Sequence, residues 1–177
     1  MVRERSPVQS RTLAHTPSNG RGALARPGRL FAILTTMELI ELTAENIDHY
    51  VDDCVHLQAY LVKPGTVIDP AQMRATASAT HTYFIGLQEA GHLVGLGVVN
   101  QIVHPVRTDA YVDNIVVHPD FRGRGLFTVL MDALEAKGKA WGAGQVRLTC
   151  SRAQVQPLYE KRQYTEKPTK YYIKDIR

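Results

Sequence analysis

One segment organises the whole chain, Val112-Asp113-Asn114-Ile115-Val116-Val117-His118-Pro119-Asp120-Phe121-Arg122-Gly123-Arg124-Gly125-Leu126. Its first six residues are mostly β-branched, which is typical of a strand, and Pro119 ends that strand. From Leu126 onward, apolar residues recur with helical spacing. The segment therefore predicts a strand, a turn and a glycine-rich start of a helix.

The turn, residues 122–125, has the composition of an anion-binding loop. Gly123 and Gly125 lack the Cβ atoms that would block the approach of a phosphate, and Arg122 and Arg124 contribute charge and hydrogen-bond donors. Backbone N–H groups at the positive end of the following helix suit a diphosphate. The alternative is a tight strand-to-helix connection that needs glycine for its own dihedral angles. The loop lacks the Gly-Lys-Ser/Thr end of a P-loop and the third glycine of a dinucleotide fingerprint.

Periodicity and turn residues predict the other elements between residues 37 and 177. Expected strands cover residues 37–42, 82–87, 93–103, 111–117, 145–150 and 171–173; expected helices start after Thr43 and at Asp69-Pro70, cover residues 124–140 and include Tyr159. This order mixes hairpins with crossovers. It predicts an α/β (α+β) fold with a mixed, mostly antiparallel central sheet and helices on both faces.

A second motif follows the long helix. A strand at residues 146–151 leads into Val155-Gln156-Pro157-Leu158-Tyr159-Glu160-Lys161-Arg162-Gln163-Tyr164. With the glycine-rich loop, this segment resembles the GNAT N-acetyltransferase superfamily. Members of that family bind the pyrophosphate of acetyl-CoA on an Arg/Gln-x-x-Gly-x-Gly/Ala loop and carry a later Leu-Tyr-Glu-Lys-x-Gly-Phe segment. Arg122, Gly125 and Tyr159 match, and the resemblance is specific over residues 111–164 of the region 37–177.

The resemblance implies a GNAT-type fold, acetyl-CoA as the cosubstrate and an amine as the acceptor. It places Tyr159 near the thioester sulfur, as a general acid, and a backbone N–H of the strand 111–117 near the thioester oxygen, where charge develops. The residues that it assigns to cofactor binding are Ile115, Val116, Val117, Arg122, Gly123, Arg124, Gly125, Leu126 and Phe127.

Three positions depart from the family pattern. Phe127 replaces the last small residue of the loop motif, and we expect this large side chain to alter the fit of the phosphates without removing the backbone donors. Gln163 replaces the glycine after Tyr-Glu-Lys, just past an expected helix end, at a stability cost of at most about 1 kcal/mol. Arg152 stands where many members carry asparagine.

Asp113 is the candidate general base. An alkyl amine with a pKa of about 10 is almost wholly protonated at neutral pH, so its reaction needs a proton acceptor. On a regular strand, Asp113 shares a face with Ile115 and Val117, and burial on that apolar face raises the pKa of a carboxyl group. The alternatives are an Asp113 that points to solvent or pairs with a neighbouring strand, and a water molecule as the base.

Charge is distributed unevenly along the chain. Residues 1–36 carry six arginines and one acid, whereas residues 37–177 carry 15 basic and 16 acidic residues. The second region is therefore nearly neutral, which argues against nucleic-acid binding. We expect residues 1–36 to be a disordered tail; a targeting segment or a start at Met37 are the alternatives.

Cysteine content and hydropathy narrow the protein class further. Cys54 and Cys150 lie far apart without a set of neighbouring ligands, so we expect reduced thiols in a cytoplasmic protein and no metal site. No apolar run reaches 18 residues, so no membrane span is expected.

Taken together with these patterns, the resemblance to the GNAT superfamily implies a CoA-dependent N-acetyltransferase. The acetyl group of acetyl-CoA would pass to a primary amine, on a small molecule or a protein, by direct attack in a ternary complex. The alternative is a catalytically degenerate CoA-binding regulatory domain, for which Phe127 and Gln163 are the arguments. A homodimer is compatible with either function.

Overall fold

The computed structural model describes residues 37–176, so the expectation for residues 1–36 lies outside the described residues. Five strands and four helices of at least five residues make up this part of the chain. In chain order they are β1 (Met37–Glu41), α1 (Ile47–Gln58), α2 (Pro70–Ala77), β2 (Thr82–Glu89), β3 (His92–Val103), β4 (Thr108–Val117), α3 (Leu126–Ala140), β5 (Gln145–Arg147) and α4 (Gln156–Glu160).

The strands form one sheet in the order β1-β2-β3-β4-β5. The first three pairs are antiparallel, and β4 and β5 are parallel. A parallel pair needs a crossover, and α3 provides it. The predicted mixed, mostly antiparallel sheet is confirmed.

Helices cover both faces of the sheet, as predicted, and each face has its own core. The α1–α2 cluster contains Cys54 and Leu57 of α1 against Phe84, Leu96 and the other inward residues of that face. On the opposite face is the α3–α4 cluster, whose buried members are Ile85, Leu87, Val94, Val99, Ala110, Val112, Leu126, Leu130, Met131, Leu134 and Tyr159. Strand residues alternate between the two clusters because successive side chains point to opposite faces.

Local sequence signals explain some helix starts better than others. Pro70 is at the first position of α2, and the Asp69 carboxylate accepts a hydrogen bond from the Ala71 N–H at 2.9 Å, as expected of a helix cap. The expected cap at Thr43 is present, although α1 itself begins at Ile47, after one intervening turn. Thr43 Oγ1 accepts from the Glu45 N–H at 3.3 Å, Asn46 Oδ1 accepts from the Thr43 N–H at 2.8 Å, and the Ile47 N–H donates to the Thr43 carbonyl at 2.9 Å.

Two strand predictions differ from the structure at the C-terminal side. β5 ends at Arg147, not at residue 150, because β4 pairs with it only over residues 109–111. The strand predicted at residues 171–173 is absent, and Tyr171, Tyr172 and Ile173 are 76%, 82% and 77% exposed. A strand needs a paired edge and a face to bury, and these side chains have neither in the described chain.

Candidate active site

A cleft of about 710 Å³ lies where β4 and the segment after β5 diverge. We call the part lined by residues 122–128 the loop end. We call the part lined by Asp113, residues 149–152 and Tyr159 the tyrosine end. The other lining residues are Leu61, Asn114, Ile115, Val116, Val117, Gln154, Val155 and Leu158.

The loop end presents a row of backbone donors. Gly123 and Gly125 adopt left-handed φ angles of +74° and +81°, and Gly125 is the N-cap of α3 without a side-chain cap. No hydrogen bond among the described residues uses the N–H groups of residues 123–127. The next N–H, that of Thr128, donates to the Gly125 carbonyl. Unpaired N–H groups at the positive end of a 15-residue helix are the kind of donors that suit an anion.

The two loop arginines have different roles. Arg122 lines the cleft, and its Nε donates to the Val117 carbonyl at 3.0 Å, which ties the loop to the end of β4. Arg124 is not among the lining residues. Its guanidinium lies 4.7 Å from the centre of the Phe121 ring and 3.8 Å from the Glu89 carboxylate. Of the nine residues expected to bind the cofactor, Arg124 is the one that the structure separates from the cleft.

Tyr159 is the buried phenol of the tyrosine end. Only 8% of the residue is exposed, and its ring contacts Phe127 and Tyr164 edge-on, with centroid distances of 5.5 and 5.8 Å. Burial raises the pKa of the Tyr159 phenol to about 12, and the nearby Cys150 adds to the effect. The phenol is therefore neutral at physiological pH and retains a proton to donate.

Phe127 packs against the tyrosine as well as lining the cleft. The expected altered fit of the phosphates at Phe127 stays a prediction. In the structure, the half-buried ring forms one side of the Tyr159 pocket. The departure from the family motif thus links the loop end to the tyrosine end by an aromatic contact.

A helix cap and an ionic cluster hold the other side of Tyr159. Gln163 has a φ of +66°, the left-handed conformation expected there, and the Tyr164 N–H donates to the Tyr159 carbonyl at 3.1 Å, as in a Schellman motif. The Tyr164 hydroxyl donates to Glu135 at 3.0 Å, and Arg162 pairs with the same carboxylate. Burial, together with the charge of Glu135, raises the pKa of Tyr164.

Asp113 lines the cleft, but not as the sequence predicted. Asn114 has a φ of +49°, and the β3–β4 register shifts by one residue beside it. This bulge reverses the alternation. Val98, the cross-strand partner of Asp113, packs in the α1–α2 cluster, whereas Ile115 and Val117 pack against the α3–α4 cluster. The predicted shared face is wrong, and so is the predicted burial, because Asp113 is exposed.

Several lining residues carried little signal in the sequence. Thr128, Thr149 and Leu61 reach the cleft because distant segments converge there. Arg152 also lines the cleft, and its carbonyl accepts a hydrogen bond from the Cys150 thiol at 3.5 Å. Cys54, by contrast, is fully buried, and burial raises the pKa of its thiol to about 12. Among residues 37–176, no group of three or more His, Cys, Asp or Glu side chains is arranged to hold a metal ion.

Comparison with known proteins agrees with this geometry. The acetyltransferase (GNAT) family model matches residues 44–164. No curated protein sequence matches the chain.

In the stretch from 37 to 176, no helix has both the length and the apolar content needed to cross a membrane.

Three solved structures illustrate the similarity of fold. Glucosamine-6-phosphate N-acetyltransferase from Arabidopsis thaliana is 20% identical, with a TM-score of 0.66 over 78% of this chain and 98% of that one. Ribosomal-protein-alanine N-acetyltransferase from Brucella melitensis biovar Abortus 2308 is 22% identical, with a TM-score of 0.65 over 78% and 99%. A predicted acetyltransferase with acetyl-CoA from Clostridium acetobutylicum is 18% identical, with a TM-score of 0.66 over 78% and 96%.

The family model covers most of the described residues, including both ends of the cleft. The chain therefore belongs to the acetyltransferase (GNAT) family.

Proposed function

We propose that the protein transfers the acetyl group of acetyl-CoA to a primary amine by direct attack in a ternary complex. The observation that carries the proposal is the continuity of the cleft. One end presents unpaired N–H groups at a helix N-terminus, and the other presents a neutral, buried phenol. An anionic cofactor with a reactive thioester at its far end matches both features.

The loop end is suited to the pyrophosphate of acetyl-CoA. The N–H groups of residues 123–127 are free to donate, and Arg122 adds a positive charge at the cleft surface. We propose that the backbone N–H groups of Gly123, Gly125, Leu126 and Phe127 donate to the pyrophosphate. Arg124 contributes only its backbone N–H, because its side chain points to Phe121 and Glu89. When bound, the cofactor supplies an activated acetyl group.

The edge of β4 supports the other part of the cofactor. Ile115, Val116 and Val117 line the cleft after the bulge, and we propose that their backbone groups hold the pantetheine arm. A backbone N–H of this strand then stabilises the negative charge that develops on the thioester oxygen. A fixed donor is effective because it needs no reorganisation during the reaction.

Two protons must move for each transfer. We propose that Tyr159 gives its proton to the departing thiolate, since its raised pKa of about 12 keeps the phenol protonated. Asp113 is the proposed acceptor for the amine proton. Because Asp113 is exposed, a water molecule can also reach its part of the cleft, and water is therefore the alternative proton acceptor.

The decisive assay follows thiol release from acetyl-CoA across a panel of primary amines, with the product identified by its added acetyl mass. Thiol release that depends on one amine, together with acetylated amine, is the expected result. Tight acetyl-CoA binding without any response to amines would contradict the proposal and support the CoA-binding regulatory alternative. We also propose a cytoplasmic location and leave a homodimer as an option for sedimentation measurements.

A further inference from the structure

Arg152 connects two walls of the cleft. It lies in the segment between β5 and α4, and its Nη2 donates to the carbonyl oxygens of Tyr60 and Leu61, both at 3.0 Å. Those carbonyls follow the end of α1, about ninety residues earlier in the chain. Arg152 and Leu61 both line the cleft. The guanidinium is therefore held at the tyrosine end, where the loop after β5 meets the end of α1.

This guanidinium has no acidic partner among residues 37–176. Arg162, in comparison, pairs with Asp132 and Glu135, and Arg147 pairs with the buried Asp109. The two carbonyls bound by Arg152 use the two hydrogens of one terminal nitrogen, whereas arginine has five N–H donors. Arg152 thus keeps its full charge and three free donors, and its orientation is set by neutral backbone groups.

The charges in the cleft restrict which amines fit well. Three charged side chains line it, namely Asp113, Arg122 and Arg152. Arg122 belongs to the loop end, so Asp113 and Arg152 remain near the proposed site of chemistry. A simple alkylammonium ion is attracted by Asp113 and repelled by Arg152. An amine that also carries an anion satisfies both side chains at once.

We propose that the acceptor is a primary amine bearing an anionic group, a carboxylate or a phosphate, and that Arg152 binds that group. The inference rests on the proposed acetyl transfer. It extends that proposal from any amine to a chemical class, and it makes Arg152 a specificity residue.

The test compares kcat/KM for matched acceptors that differ in the anion. Two pairs test for recognition of a carboxylate, namely glycine against glycinamide and β-alanine against β-alaninamide. One pair, phosphoethanolamine against ethanolamine, tests for recognition of a phosphate. In the amino-acid pairs the amide has the less basic amine, which favours its reaction at neutral pH. A preference for the acid therefore cannot arise from the amine pKa. We expect the anionic member of at least one pair to be preferred by about 10- to 100-fold, the scale of a hydrogen bond to a charged group.

Variants assign that preference to Arg152. Arg152→Gln should reduce it to within about threefold of unity, mainly by lowering kcat/KM for the anionic member, while KM for acetyl-CoA stays within about threefold. Arg152→Lys should retain most of the preference because it retains the charge. Arg74→Gln, on the exposed face of α2 outside the cleft lining, is the matched control and should change neither value.

A second measurement needs no variant. In the wild-type protein, the preference for the anionic acceptor should fall as ionic strength rises from about 0.02 to 0.5 M, because salt screens an exposed charge. Equal use of both members of every pair, or a preference insensitive to salt, overturns the inference. The inference is also overturned if Arg152→Gln raises KM for acetyl-CoA and leaves the acceptor preference unchanged, because Arg152 would then bind the cofactor. Failure to acetylate any amine refutes the proposed function instead.

Discussion

The two ends of the cleft are built differently. The loop end comes from one continuous segment, residues 122–128, and presents mainly backbone N–H groups. The tyrosine end combines side chains from a bulged strand, a loop and a five-residue helix. A site made of adjacent backbone groups depends on local conformation. A site made of side chains from separate elements depends on the whole fold, so the two ends should respond differently to mutation.

The largest effect is expected at the tyrosine end, from Tyr159→Phe. The ring still packs between its neighbours, so acetyl-CoA affinity should stay within a few-fold, while turnover should fall by about 10²-fold or more through loss of the acid. Steady-state kinetics on the best acceptor measures both. Tyr83→Phe removes a hydroxyl from β2, outside the cleft lining, and should leave turnover unchanged. Equal kinetics for Tyr159→Phe and wild type would reduce Tyr159 to a packing residue.

At the loop end, Gly125→Asp should abolish cofactor binding. At about 100 times its dissociation constant, acetyl-CoA should stabilise the wild type by about 2.7 kcal/mol, seen as a rise in Tm. The new carboxylate would repel the pyrophosphate. Gly142→Asp is the control, since Gly142 has a similar φ of +71° but lies past the other end of α3. A full thermal shift in Gly125→Asp would place the cofactor elsewhere.

Asp113→Asn should have a smaller effect than Tyr159→Phe. Turnover should fall about tenfold at neutral pH, less than the ~100-fold usual for a positioned base, because water reaches the exposed site. Steady-state kinetics with the best acceptor measures the change. Turnover equal to that of the wild type would reassign the base to water.

The smallest effect concerns stability alone. Gln163 has a left-handed backbone conformation next to the tyrosine end, and Gln163→Gly removes the strain of its Cβ atom there. The substitution should raise the free energy of unfolding by about 1 kcal/mol. Gln72→Gly, inside α2, carries the same substitution and should lower it by a similar amount. Denaturant melts of both variants give the comparison. A destabilised Gln163→Gly would mean that the glutamine side chain contributes more than its backbone strain costs.

The sequence predicted the backbone conformation of the loop end well and the tyrosine end only in part. Glycine spacing before a helical pattern reports directly on backbone conformation, so the turn and helix start at residues 122–127 could be predicted. Their binding of an anion stays a prediction. Tyr159 was assigned through family resemblance. The prediction for the orientation of Asp113 is wrong because one bulged residue, Asn114, reverses the alternation of β4. The local mark of the bulge is the asparagine itself, which adopts left-handed angles more readily than most residues.

Long-range convergence was equally hidden. The tether from Arg152 to the carbonyls of Tyr60 and Leu61 joins parts of the chain that share no local pattern. The strand predicted at residues 171–173 failed for a related reason. Local propensity favoured a strand, but a strand exists only where another one accepts its hydrogen bonds.

Because of the bulge at Asn114, the face to which each β4 side chain points depends on the number of residues in the strand. Before the bulge, even-numbered residues of β4 point to the α3–α4 cluster, and after it odd-numbered residues do. Val112 and Ile115 therefore reach the same core although they are three positions apart. Loss of the Asn114 codon would restore a regular alternation and keep the same residues on each face, whereas loss of a codon elsewhere in β4 would exchange the two faces over part of the strand. The bulge should therefore tolerate a one-residue deletion better than the rest of β4 does.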